Sequence, residues 1–555
     1  MVTAEVSEQA PQLIPHTEAK AKVWVANLPI TNPGETTKRL FYGLVDLNRR
    51  ALPVATRIAI GEMLIPAMGV ALEALQRHLV ARAFPLTAKT QKIFELAQSL
   101  TLEFAGLYQV AALDIITKKE GNKKLLSVAL YRALDYMTQV LLLNYSVYIR
   151  TRETLWHDIH HLYLLAVENG VDQVKLKEHN IGAPSIEARY IQANLLALSK
   201  PYSLRQGEVT RLAQYYMQNT ALTSLSREPE NQTSAYVYAV ILNSDEPAAL
   251  IPISDLPHSP TVRVLNLHNL LTLLDKHIRD LETSGVPPML MQQNGLSRNL
   301  AKRVIYHLSS VRNRNFNRFP KNEKVGMVTQ LKDVLDVVLD SGKNSKAAIE
   351  EDVLFNVFAY NETANDSEQT RQVAFKTEHE EGARIQSWRI LNSSLGGYGL
   401  CWEDKEESGA RVGEIVGLRD LSNDSATWMV GVIKWMEFVG SKGLCCGIEL
   451  LSTKAMPLTV LSVRGRKLQQ ALPMDGLMLP SIEGVRPDAS LILPAYIFRE
   501  EDEITLKFAE RTEQVRLLLL DECLGAFAHF RFDKVLATKM VEDEYEDFNA
   551  IWAAL

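Results

Sequence analysis

The sequence predicts an α+β multidomain chain: a helical N-terminal module, then an antiparallel β-barrel, then a second small β domain. Three observations point there. From Glu35 to about Ser226 apolar residues recur at helical spacing. Between Val412 and Leu451 they alternate in short runs bounded by Gly, Asn, Asp and Ser, and from Ser490 to Phe532 four more short β runs follow. A length of 555 residues, at about 150 per domain, suits two to four domains. The expected division is a helical module over 1–226, a hairpin with linker helices over 227–310, a barrel over 311–470 with an insertion near 341–387, and a C-terminal small barrel or sandwich with an acidic tail over 471–555.

Composition narrows the function classes. Hydrophobic residues at 46% and charged residues at 23% are ordinary for a globular chain and argue against a disordered or fibrous one. The balance of 66 acidic against 60 basic side chains, net −6, gives no field for DNA, RNA or an anionic membrane surface, so an anionic ligand needs a local arginine cluster. Four cysteines (Cys401, Cys445, Cys446, Cys523), none in CxxC spacing, exclude a disulfide framework, a zinc ribbon and a thioredoxin-like pair. The first sixteen residues lack the basic and apolar regions of a signal peptide. The most apolar stretch, Ile58–Leu75, is interrupted by Glu62, Pro66 and Glu73 and falls short of a clean span. The expectation is a reduced, cytoplasmic protein that does not insert in a membrane.

Within the helical module, Ile93, Leu96, Ala97, Leu100, Phe104, Leu107 and Tyr108 follow one helical face, and Leu126, Leu130, Ala133, Met137 and Leu141 another. Breaks fall at Pro85, around Gly121, at Gly170 and at Pro201, which predicts helices joined by short turns, as in a bundle or a stack of helical hairpins. The stretch Leu155–Met217 reads as paired helices without a fixed repeat. Such a module either presents a groove to a protein partner or packs on the rest of the chain. His157 and His161, one helical turn apart in Trp156-His157-Asp158-Ile159-His160-His161, have metal-ligand spacing. Asp158 stands where a zincin needs Glu and no third ligand is evident, so they read as surface and packing histidines, with no metal site.

In the middle, Ala235–Ile253 holds two β-rich runs around Asn243–Pro247, a hairpin pattern, and amphipathic helices are expected over Leu265–Glu282 and Leu296–Val311. The second helix runs into Arg312-Asn313-Arg314-Asn315-Phe316-Asn317-Arg318, three arginines in seven residues with Arg314 and Arg318 spaced RxxxR. This is either a concentrated cationic site or a solvated basic linker. A strand over Lys324–Gln330 and a helix over Leu331–Asp340 follow. Then Ser341–Ser387, with nine acidic against five basic residues, reads as a mobile insertion.

Beyond it comes Trp388-Arg389-Ile390-Leu391-Asn392-Ser393-Ser394-Leu395-Gly396-Gly397, a (D/N)xSxxG pattern made by Asn392, Ser394 and Gly397, and then the strands Val412–Leu418, Trp428–Glu437 and Gly447–Leu451. RxxxR before the first barrel strand, followed by NxSxxG and these strands, resembles the PilZ domain over about residues 310–465. The long helical N-terminus resembles that of a subgroup of long bacterial PilZ proteins. Most relatives hold the two motifs a couple of strands apart. Here 73 residues lie between Arg318 and Asn392, so a joint site requires the barrel to close across the insertion.

The resemblance implies a small β-barrel that binds the second messenger cyclic di-GMP, with no further cofactor. It assigns phosphate and guanine contacts to Arg314 and Arg318 and a guanine edge to Asn392 and Ser394. It gives Gly397 the tight turn, and Arg312 a contact to a second, intercalated ligand molecule. The residue types suit this, because an arginine fork bonds phosphate bidentately and its face stacks on a purine.

After the barrel, Arg464–Lys467 and Pro473–Pro480 read as a linker, and the runs Ser490–Phe498, Glu503–Phe508, Gln514–Leu520 and Ala526–Phe532 as a structural companion domain. Val541–Leu555 carries five carboxylates from Glu542 to Asp547, a solvated helix end or a docking tail. There is no P-loop, GxSxG, HExxH or dinucleotide fingerprint, and no GGDEF or EAL, so no catalytic residues are expected. The function read from the sequence is a receptor that couples cyclic di-GMP binding to interaction of the helical module with a cytoplasmic partner. The alternative is a degenerate PilZ scaffold that binds protein without nucleotide.

Overall fold

Helix starts in the N-terminal module are written in its side chains. Asn32, Thr87, Asn122 and Ser185 each accept the backbone N–H three residues on, at 3.1, 3.3, 3.0 and 3.1 Å. They open α2 (Pro33–Arg49), α4 (Ala88–Lys118), α5 (Lys123–Ser146) and α7 (Ile186–Leu198); the others are α1 (Glu18–Ala26), α3 (Val54–Arg77), α6 (Leu155–Glu168) and α8 (Glu208–Asn219). The computed structural model describes residues 13–119, 122–176, 184–229, 235–283, 292–293, 296–309, 317–344, 383–404, 406–423, 426–463, 473–481, 488–508, 511–523 and 527–535.

The sequence breaks fall where expected: α4 ends at Lys118 and α5 starts at Lys123, Gly170 has φ +64° after α6, and Pro201 opens a 3₁₀ turn. α5 is enclosed nearly all round, with sixteen of its 24 residues buried, and it packs on α3, α4, α6, α7 and α8. The module is therefore a bundle around one central helix. α3 extends past the apolar stretch read from sequence, and both α3 and α4 are long and apolar enough to cross a membrane by length and composition. In this fold they pack against each other and supply much of the module's core. Glu62, which looked like an interruption of α3, accepts a bidentate pair from Arg132 at 2.8 and 2.9 Å and the Tyr108 hydroxyl at 3.0 Å.

The hairpin forms as β2 (Tyr236–Ile241) and β3 (Ala249–Pro252), within a sheet ordered β1-β4-β2-β3 that also takes β1 (Ser224–Ser226) and β4 (Val262–Asn266). Its turn reaches back to α6: Asp245 accepts from the Thr154 and His157 N–H groups at 2.7 and 2.9 Å, capping a helix that has no side-chain cap of its own. The linker helices are α9 (His268–Thr283) and α10 (Arg298–Ser309), with a two-residue pairing of β5 (Gln292–Gln293) and β6 (Leu296–Ser297) between them.

The first barrel uses β7 (Phe319–Pro320), β8 (Lys324–Thr329), β9 (Gln386–Ser394), β10 (Gly397–Trp402), β11 (Ile415–Asp420), β12 (Met429–Val439) and β13 (Gly443–Ser452). The sheet order is β10-β13-β12-β11-β8-β9-β7, and β9 also pairs with β10, so six strands close and β7 is laid on the edge of β9. The expected helix after β8 is α11 (Leu331–Asn344). Residues 345–382 of the expected insertion lie outside the described residues, as do Arg464–Lys467 and the acidic C-terminus.

The second barrel is closed in the order β14-β15-β16-β19-β18-β17: β14 (Met456–Val463), β15 (Met474–Leu479), β16 (Ser490–Pro494), β17 (Glu503–Phe508), β18 (Arg511–Cys523) and β19 (Phe527–Lys534). This corrects one reading. Pro473–Pro480 is no linker: between its prolines β15 pairs with β14 and β16 and buries Leu477, Met478 and Leu479. Its Met, Gly and Leu residues lack the β-branched signature, and burial of a fully enclosed strand outweighs that weak propensity. Val334, Leu335, Val337 and Val338 of α11 share a core with Trp428, Val430 and Val432 and with Leu477, Ile492 and Phe527.

The chain divides into two compact units. One comprises Met1–Lys324, Ser387–Gly413 and Ile433–Glu449, and the other Val325–Gln386, Glu414–Val432 and Leu450–Leu555.

Candidate functional site

A single extra residue in β9 builds the motif face. Ile390 opposes Leu400 and Asn392 opposes Gly399, so Leu391 is a bulge with no partner of its own in β10. Before the bulge Trp388 and Ile390 are buried, and the Trp388 ring lies 5.3 Å from that of Trp402. After it the alternation is reversed, and Asn392 and Ser394 stand on the opposite face from Trp388 and Ile390. A regular strand would have turned both motif side chains into the barrel.

Glycines keep that face bare. A Cβ on Gly399 would lie 2.9 Å from Asn392 Oδ1, and one on Gly447, the cross-strand partner of Gly399, would overlap the indole of Trp435. One row across four strands therefore runs Asn392, Gly399, Gly447, Trp435, with a half-buried indole lying over the backbone at its end. Gly397 has φ +151°, and a side chain there would overlap the Ile448 carbonyl oxygen. Only glycine lets β10 approach β13 so closely at this point. The Ser394 hydroxyl donates to the Gly397 carbonyl at 3.3 Å, tying the hairpin that carries the motif.

The linker reaches this hairpin along β9. Phe319 pairs with Ser393 and Pro320 with Asn392, while Lys321 N–H donates to the Leu391 carbonyl at 3.2 Å and Ile390 N–H to the Glu323 carbonyl at 2.8 Å. The register sets Arg318 level with Ser394, although 73 residues separate Arg318 from Asn392 in sequence. Arg318 is exposed and has no ion-pair partner among the described residues. Arg389, by contrast, is spent on Glu403 at 2.5 Å. Arg312 and Arg314 lie outside the described residues. Of the six site residues read from sequence, the structure thus brings together Arg318, Asn392, Ser394 and Gly397. It adds Trp435 to the same face, whose signal was the glycine at 447 in the strand beside it.

Elsewhere, His157 and His161 are exposed, their rings 6.4 Å apart, and no metal-holding cluster occurs among the described residues. His160 between them is the structural one. Its Nε2 donates to the Glu246 carbonyl at 2.9 Å, and its Nδ1 lies 2.7 Å from the Tyr190 hydroxyl, which donates to the neutral ring. Burial lowers its pKa to about 4.

The helical module meets the barrel within the same compact unit. Phe438 N–H donates to the Tyr148 carbonyl at 2.7 Å, Arg150 pairs with Glu437 at 2.9 Å, and Ser408 donates through N–H and hydroxyl to the Phe84 carbonyl at 2.8 and 2.7 Å. Glu437 and Phe438 follow Trp435 by two and three residues on β12.

Three family matches run in series along the chain. Residues 19–230 match the N-terminal domain of the cyclic-di-GMP receptor FimW, residues 327–457 its middle PilZ domain, and residues 460–535 its C-terminal β-barrel domain. A relative described as the cyclic-di-GMP receptor FimW, from Pseudomonas aeruginosa, is 22% identical over 96% of this chain and 95% of its own length. No solved structure matches. The matches agree in order with the helical bundle and the two closed barrels: the chain belongs to the PilZ-domain family, in the long form with a helical module ahead of the PilZ barrel and a second β-barrel after it.

Proposed function

We propose that this protein is a cytoplasmic receptor for cyclic di-GMP that acts by binding, not by catalysis. Arg314 and Arg318 clamp the ligand's phosphates and one guanine face. Asn392 and Ser394 read a guanine edge, and Gly397 holds the hairpin that carries them. Arg312 contacts a second ligand molecule where two bind. Trp435 offers a further aromatic face at the end of the same row. The observation that carries this reading is the short β7–β9 pairing, which sets Phe319 and Pro320, with Arg318 next to them, beside Ser393 and Asn392.

The energetics suffice. Charge-assisted hydrogen bonds contribute about 1.5–3 kcal/mol each and base stacking about 1–3 kcal/mol per base, against about 8 kcal/mol for a micromolar dissociation constant. Transmission follows from β12, since a ligand resting on Trp435 acts on the strand whose next residues hold the helical module through Glu437 and Phe438. A ligand shifts such a contact only by binding one arrangement better, as it does where Arg318 and the motif residues meet it together in one arrangement alone. The helical module then engages its protein partner differently in the two states.

Calorimetric titration of the full chain with cyclic di-GMP, beside the Arg314→Ala/Arg318→Ala double variant, tests this. Binding at micromolar concentration or tighter, lost in the double variant, supports the receptor. No heat at tens of micromolar sinks it and leaves a ligand-free protein-binding scaffold.

A further inference from the structure

Cys401 on β10 and Cys445 on β13 are direct cross-strand partners, and their sulfurs lie 3.0 Å apart. Opposed residues in antiparallel strands have Cα atoms about 4.5–5.5 Å apart, inside the span a disulfide bridges. The pair occupies the row next to Gly399 and Gly447 on the same face, with Arg389 opposite Cys401 on β9. The Cys401 thiol donates to the Lys442 carbonyl at 2.7 Å, and the Cys445 S–H has the Cys401 sulfur at 3.0 Å and the Gly443 carbonyl at 4.0 Å within reach as acceptors.

The two thiols are not equivalent. The hydrogen bond from Cys445 lowers the pKa of Cys401 against burial, with Arg389 and Lys442 adding to it and Glu403 offsetting part of the Arg389 effect, whereas the same bond and burial raise that of Cys445. Arg389, opposite Cys401 on β9, places a positive charge on the Cys401 side of the pair and favours its thiolate over that of Cys445. Cys446, next in sequence, faces the other way and has no thiol partner among the described residues, and burial raises its pKa. Nucleophilic reactivity follows the thiolate, so the neighbour is inert where the pair is not.

We infer that Cys401 and Cys445 are a redox modification site, closing to a reversible disulfide in the wall of the PilZ barrel when hydrogen peroxide is present. The Cys401 thiolate attacks one peroxide oxygen and the O–O bond breaks. The departing hydroxide takes up the proton Cys401 released, leaving water and Cys401 sulfenic acid. The Cys445 sulfur then attacks the Cys401 sulfur, loses its proton and expels the hydroxyl as a second water. Two electrons pass from the dithiol to the peroxide, and a thiol reductant reverses the reaction. Because both side chains are buried, a small oxidant of this class reaches them where bulky disulfides do not.

The test needs no nucleotide ligand, so it stands apart from the receptor reading. The full chain, carrying Cys446→Ala so that the linked residue is unambiguous, is treated with a small excess of hydrogen peroxide, alkylated, and mapped by non-reducing peptide mass spectrometry. A Cys401–Cys445 linked peptide that dithiothreitol abolishes is expected. In the Cys445→Ser chain dimedone should instead trap Cys401 as its sulfenic acid. In the unmutated chain the pair should oxidise about tenfold or more faster than Cys446. Cys401 and Cys445 remaining alkylatable after excess peroxide, or Cys446 oxidising as fast, overturns the assignment.

Discussion

Gly399 lies directly beneath the side-chain amide of Asn392, so close that a Cβ at position 399 would come 2.9 Å from Oδ1 and 3.0 Å from Nδ2. The amide rests on bare backbone, and its position depends on the missing side chain as much as on its own strand. The obstacle to a Cβ is the end of a side chain, which can swing away. Gly399→Ala is therefore expected to leave the melting temperature nearly unchanged and to weaken cyclic di-GMP binding about tenfold, or about 1.4 kcal/mol. Unchanged affinity in calorimetry would show that Asn392 does not read the ligand.

Gly397 predicts the opposite division of effects. The Cβ of Gly397→Ala would overlap a backbone atom, the Ile448 carbonyl oxygen, at a φ of +151° that side chains disfavour. β10 and β13 must separate to admit it, at a cost of about 3 kcal/mol or more. Thermal denaturation should show a large fall in melting temperature before any ligand is added. A variant that melts like the parent would mean that the hairpin tolerates a wider β10–β13 spacing.

The two described arginines nearest the motif should differ in the same way. Arg318 has no ion-pair partner among the described residues, while Arg389 is held by Glu403. Removing Arg318 with Ala is expected to weaken binding about 10- to 150-fold, the range of one charge-assisted contact of about 1.5–3 kcal/mol. Arg389→Ala should change affinity less than about threefold, since its charge is already neutralised at a partly exposed pair. Equal losses at the two positions would point to a general electrostatic field and against a specific clamp.

How much of this was readable in advance follows from which interactions are local. Helix ends were legible because caps and breakers act within four residues, as at Asn122 beside Gly121. The motif residues were legible as a pattern, but their orientation was not, because it hangs on one bulged residue, Leu391, that interrupts the alternation of Trp388 and Ile390. The approach of Arg318 to Ser394 was hidden for a different reason: a two-residue pairing spanning 73 residues leaves no periodicity to read. β15 was missed because flanking prolines and a Met-Gly-Leu composition imitate a linker until the barrel encloses it. The placing of Trp435 escaped because it comes from the glycine across the strand pair and not from its own neighbours in sequence.

Acid should loosen the helical module through His160. The native state holds this ring neutral, since burial lowers its pKa to about 4 from an unreacted 6.5, with His157 adding to the shift and Asp245 and the Glu246 carbonyl opposing it. Above about pH 6.5 neither folded nor unfolded chain binds the proton, and His160 costs nothing. Between about pH 6.5 and 4 the unfolded chain is protonated and the folded one is not, so stability falls as pH falls. Below about pH 4 both bind it and the loss levels off. The full effect is about 3 kcal/mol, from about 1.4 kcal/mol per pH unit. Denaturant midpoints of the full chain between pH 7 and pH 4 should fall more steeply than those of His160→Gln, which lacks the titrating ring yet keeps a donor and an acceptor. Parallel slopes for the two proteins would place the acid sensitivity on other groups.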